Sequence, residues 1–105
     1  MLTGNLLDPL PPAARDEVLH TLLTRGAVRI ERIVSTGQSS PAGFWYDQDE
    51  TEFVVLLAGA ARLRFEDGEL AMTPGSYVTI PPHRRHRVEW TQADPPTVWL
   101  TVFFP

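Results

Sequence analysis

The sequence contains no cysteine and no lysine; all nine of its basic residues are arginine. The missing cysteine removes disulfides, thiolate nucleophiles and sulfur ligands for metals. The missing lysine removes Schiff-base chemistry and a lysine general base. No run is apolar enough to span a membrane, and the opening MLTGNLLDPLPP has neither a basic region nor an apolar core of the kind a signal peptide needs. A cytoplasmic protein without membrane attachment is the expectation. A net charge of −4 argues against nucleic acid as a partner. Histidine is scarce as well, with three in all: His20, His83 and His86.

Proline is plentiful, at 10 of 105 residues, and it separates short apolar runs. That pattern favours short strands and tight connections within one domain. Residues 1–10 read as an extended arm. Residues 11–26, PPAARDEVLHTLLTRG, read as a short N-terminal α-helix. Proline suits its first turn, Asp16 and Glu17 suit its dipole, Val18, Leu19, Leu22 and Leu23 form a stripe, and Gly26 ends it. His20 falls opposite that stripe.

From Ala27 the period becomes strand-like. Strands are expected over 27–35, 44–47, 50–59, a hairpin at 60–72, then 76–81, 86–90 and 97–104. About eight such strands with turns between them indicate an antiparallel sandwich or barrel. The domain organisation is thus an arm and helix (1–26) packed on a β-barrel (27–105). FVVLL and VWLTVFF are apolar at both parities. One face of each must be covered by the helix, a second sheet or another subunit.

Two stretches carry candidate chemistry. In HRRHRVEW (83–90), His86 shares a parity with Val88 and Trp90, which aims it at an apolar interior. In YDQDETE (46–52), Glu52 opens an apolar strand, where a carboxylate can serve as a metal ligand or general base. Arg84, Arg85 and Arg87 read as a charged rim that pairs with acids. Phe44, Trp45 and Trp90 are candidate aromatic walls of a pocket for a small organic ligand.

These stretches resemble the two motifs of the cupin superfamily. Glu52, six residues and Gly59 match the second half of G-x5-H-x-H-x3–4-E-x6-G. Gly75, five residues, Pro81 and then His86 match G-x5-P-x-G-x2-H-x3-N in spacing, with His83 at the second glycine and Trp90 at the asparagine. GFWYDQDE with IPPHRRHRVEW is similar to a set of short bacterial single-domain cupins. The resemblance implies an all-β double-stranded β-helix, the jelly-roll barrel of cupins. It also implies a homodimer joined through its sheets, and a metal site in the barrel. Of the family's ligands it keeps Glu52 and His86. Its two first-motif histidines fall on Tyr46 and Gln48 in one register, which also puts Ser40 at the motif's glycine, or on Trp45 and Asp47 in the other. The first register is preferred because Tyr and Gln each offer an oxygen. The implied ligand set is His86, Glu52, Gln48 and Tyr46, with His83 and Asp47 as further ligands or acid–base groups. The implied metal is Mn, Fe, Zn or Ni.

Overall fold

A computed structural model describes residues 1–105 as eight strands and no helix. The strands are β1 (Val18–Arg25), β2 (Val28–Ser35), β3 (Thr51–Ala58), β4 (Ala61–Phe65), β5 (Gly68–Met72), β6 (Tyr77–Ile80), β7 (His86–Thr91) and β8 (Thr97–Phe104). They form two antiparallel sheets, ordered β1-β2-β8-β3-β6 and β5-β4-β7. The sheets face each other across a core of Val54, Leu56, Ala61, Leu63, Met72, Ile80 and Trp99. Alternation explains the inward set: Val54 and Leu56 on β3, Ala61 and Leu63 on β4, Trp99 and Phe103 on β8.

The expected helix at 11–26 is absent. Its C-terminal half is β1, which forms a hairpin with β2 through Gly26 and Ala27. A register shift between Thr21 and Leu23 leaves Leu22 as an extra residue in the ladder. One extra residue breaks strict alternation, so a bulged strand can imitate helical spacing. The ladder to β2 outweighs a weak local helix preference. Residues before β1 run as an arm tied to the five-stranded sheet. Arg32 donates to the carbonyls of Leu6 (3.2 Å) and Pro9 (3.1 Å), and Gln38 donates to that of Ala14 (2.8 Å). His20 is half-buried here, with Nδ1 2.8 Å from the Arg32 guanidinium.

β8 is the middle strand of the larger sheet, flanked by β2 and β3, and the second sheet covers the inner faces of β3 and β8. Their outer apolar residues, Phe53 and Val55 on β3 and Leu100, Val102 and Phe104 on β8, are only half-buried. Gly59 lets β3 turn tightly into β4. It sits at φ +81°, and a Cβ there would lie 2.6 Å from the Thr97 Cα. Residues 44–47, expected as a strand, make a single bridge, Tyr46 with His86.

Candidate functional site

His86 is the first residue of β7 and is 4% exposed. Its position is fixed twice. Backbone hydrogen bonds run from Tyr46 N to His86 O (2.7 Å) and from His86 N to Tyr46 O (3.2 Å). Its Nδ1–H donates to the Arg84 carbonyl at 2.9 Å, which leaves Nε2 as the atom directed at Glu52. Nε2 lies 3.5 Å from Glu52 Oε1. Glu52 stands near the start of β3 and also accepts a hydrogen bond from the Gln48 amide at 3.0 Å. The Tyr46 ring stacks on the imidazole, with centroids 5.2 Å apart and planes at 24°.

These four side chains share one cavity of about 260 Å³ between the sheets. Its apolar wall includes Ile33, Val54, Leu63, Val88, Trp99 and Phe103. Its polar wall adds Glu17, Arg29, Glu31 and Thr101. Glu31 is buried and lies 3.2 Å from Arg29 Nε, so this charge is matched inside the barrel. Burial pulls the His86 pKa down, but the Glu52 hydrogen bond, the Arg84 carbonyl and the Glu52 charge together hold it above its ordinary value. Burial raises the Tyr46 phenol, and the charges of Glu17 and Glu52 raise it further, so this hydroxyl stays protonated.

The other expected site residues lie elsewhere. His83 takes a left-handed backbone (φ 63°) and sits exposed between two acids, with Nδ1 2.7 Å from Asp47 and Nε2 3.1 Å from Asp49. The Asp47 hydrogen bond raises the His83 pKa. This clamp closes the loop rim and does not line the cavity, so Asp47 and His83 are separated from His86. Phe44 packs edge-on against the outer side of Tyr46, 4.8 Å between centroids, and is itself exposed. Trp45 lies under the Arg85 guanidinium at 5.3 Å. Neither of these aromatic residues lines the cavity.

Trp90 corrects the parity reading. β7 pairs with β4 through Leu63↔Val88 and then Arg62↔Trp90, so Glu89 is an extra residue in the ladder. The bulge turns Trp90 to the outer surface, where it is 40% exposed under the Arg62 guanidinium. His86 and Val88 precede the bulge and keep the inward parity. The rim arginines pair locally: Arg84 with Asp67 at 2.6 Å and Arg85 with Glu66 at 3.6 Å. Arg87 bonds the carbonyls of Ser40, Pro41 and Phe44, holding the loop that carries Tyr46.

The inward Trp99 and Phe103 were not among the expected site residues, although their shared parity with Thr101 on β8 was a usable signal. Glu31 and Arg29 share a parity on β2 in the same way. Glu17 had no such signal, because the helix reading assigned its charge to a dipole.

The Cupin domain family profile matches residues 31–103. No protein of curated function matches the chain. Among solved structures, one from Ralstonia eutropha JMP134, provisionally called a mannose-6-phosphate isomerase, is similar at 43% identity. The match covers 99% of this chain and 98% of that one, with a TM-score of 0.95. A cupin superfamily protein from Desulfitobacterium hafniense DCB-2 is 16% identical over 90% of this chain and 83% of its own, TM-score 0.76. A protein from Thermus thermophilus is 16% identical over 100% and 98%, TM-score 0.82. The last two show likeness of fold. With its two facing sheets, its inward histidine and glutamate, and a family match across most of its length, the chain belongs to the cupin family.

Proposed function

We propose that the protein binds a small organic molecule in the barrel cavity, and that His86 and Glu52 engage it as an acid–base pair without a resident transition metal. The observation that carries this reading is the paired geometry of His86 and Glu52 inside an aromatic-walled cavity. The cavity lies just below the roughly 300–1,000 Å³ of pockets for drug-sized ligands, which favours a smaller molecule.

The residues present do not fit the metal that the family implies. A tightly held Mn, Fe, Ni or Zn wants several nitrogen or carboxylate donors around one point. No group of three or more His, Asp or Glu side chains here has that arrangement. Gln48 turns its amide nitrogen on Glu52, and Tyr46 offers a protonated phenol on a ring stacked flat against His86. His83 belongs to the exposed clamp. What is left is one imidazole and one carboxylate, a pair better suited to moving a proton than to holding an ion.

The isomerase description of the structure at 43% identity favours a second reading, proton transfer beside a carbonyl. The acid–base pair suits that chemistry. A sugar phosphate suits the cavity less well, since Arg29 is engaged by Glu31 and Glu50. A thermal-shift screen of neutral, cationic and anionic metabolites tests the main reading by mass action. A shift lost in His86→Ala, with the fold retained, supports it. A screen in which no compound gives a His86-dependent shift rejects it. The apolar outer residues of the larger sheet also support a homodimer, and sedimentation as a monomer at micromolar concentration would contradict that assembly.

A further inference from the structure

The cavity's charges are unequal. Glu17, Glu31 and Glu52 line it against a single guanidinium, Arg29. That guanidinium is occupied: Nε lies 3.2 Å from Glu31, its two NH groups lie 3.1 and 3.3 Å from Glu50, and its plane covers the Phe103 ring at 4.2 Å. Glu17 has no cationic partner. Its carboxylate accepts a hydrogen bond from Ser35 Oγ at 3.3 Å, and that oxygen accepts one from Trp99 Nε1 at 3.1 Å. Ser35 and Trp99 are buried, so two fixed residues aim an acid that stands at the cavity's mouth. The His86 Nε2, on a side chain 5% exposed, faces Glu52 at 3.5 Å, so Glu52 is held between His86 and the Gln48 amide.

Glu17 and Glu52 therefore form a pair of acceptors beside aromatic surface. Such a set matches a group that only donates. An ammonium has N–H donors, a positive charge, and attraction to aromatic faces. A phosphate needs free cationic donors, and none lines the cavity. Loss of water around the carboxylate, and then the charge of Glu52, raise the Glu17 pKa, and a neutral ligand would leave that repulsion in place.

We propose that Glu17 is a specificity-determining residue of this cavity and that, together with Glu52, it selects small ligands bearing a protonated amine. The inference rests on the reading of the cavity as a small-molecule site. It goes beyond the shared family framework, because Glu17 precedes the matched region of residues 31–103.

Isothermal titration of the full chain with benzylamine, benzyl alcohol and mannose 6-phosphate at low salt tests it, using wild type, Glu17→Gln and Glu52→Gln. Benzylamine should bind about tenfold or more tightly than benzyl alcohol, the range of a charge-assisted hydrogen bond. Glu17→Gln should lose most of that preference while keeping the melting temperature nearly unchanged. The proposal is overturned if benzylamine binds no better than benzyl alcohol, including the case where neither binds. It is also overturned if mannose 6-phosphate binds more tightly than the amine, or if Glu17→Gln keeps the amine preference. Alcohol or sugar-phosphate binding as tight as the amine's, and lost in His86→Ala, would reject the amine selectivity alone. A broad screen without any His86-dependent ligand would reject the small-molecule reading as well.

Discussion

Trp90 and Trp99 are chemically identical and lie on opposite faces of their sheets, so truncating each in turn measures the bulge in β7. Trp99 is 4% exposed, and its indole N–H bonds Ser35. A tryptophan carries up to about 250 Å² of surface, and at about 25 cal/mol per Å² its full burial is worth at most about 6 kcal/mol. A compact unfolded state and the open cavity beside the ring reduce this, so Trp99→Ala should cost about 3–5 kcal/mol. Trp90 is 40% exposed and touches the Arg62 guanidinium. Removing it leaves no closed void, because solvent fills the space, and forfeits about 0.5–1 kcal/mol of cation–π attraction with part of its area. Trp90→Ala should cost about 1–2 kcal/mol, at least about 1 kcal/mol less than Trp99→Ala. Urea unfolding followed by circular dichroism reads both values from the shift in midpoint at constant slope. Acrylamide quenching gives a second readout, since Trp90→Phe should remove an accessible fluorophore. Equal destabilisation by the two alanine variants would refute the bulge and return Trp90 to the interior.

Three further outcomes follow from the same geometry. Gly59→Ala should destabilise by about 2–4 kcal/mol in urea unfolding, because the new Cβ meets Thr97 at a positive φ; a cost below about 1 kcal/mol would mean that the β3–β4 turn is not so tight. The His86 pKa is raised in the folded state, so the stabilisation it brings is complete below its unfolded value and is lost as pH rises through the folded value. The stability difference between wild type and Glu52→Gln should therefore shrink over that window, while any slope from the exposed His83 clamp is common to both; a constant difference would contradict the His86–Glu52 pairing. Arg87→Ala should loosen the Ser40–Phe44 loop and speed amide exchange at Tyr46 relative to β3, and unchanged exchange would remove Arg87 from the support of the site.

The strand pattern was readable where alternation is undisturbed. Leu63 and Phe65 against Arg62 and Arg64 predicted the β4–β5 hairpin, and the spacing Gly75–Pro81–His86 predicted an inward histidine at the start of β7. The failures lie at places where one residue enters a ladder. Leu22 in β1 gave leucines at helical spacing, and Glu89 in β7 carried Trp90 to the surface. A bulge is settled by pairing with a distant strand, which periodicity along one strand does not contain. The cavity followed the same division. Glu52 and His86 could be placed from strand starts and motif spacing, and Tyr46 and Gln48 from the first-motif register. Glu17 could not, since its position depends on β1 being a strand and on contacts to Ser35 and Trp99, both far along the chain.

The most direct test of the central claim is elemental analysis of the purified protein, followed by titration with Mn, Fe, Ni and Zn. The donor set predicts well under one metal per chain and no change in melting temperature on adding metal or chelator. A near-stoichiometric metal that survives dialysis and is lost in both His86→Ala and Glu52→Gln would contradict the account and restore a metal centre to this barrel.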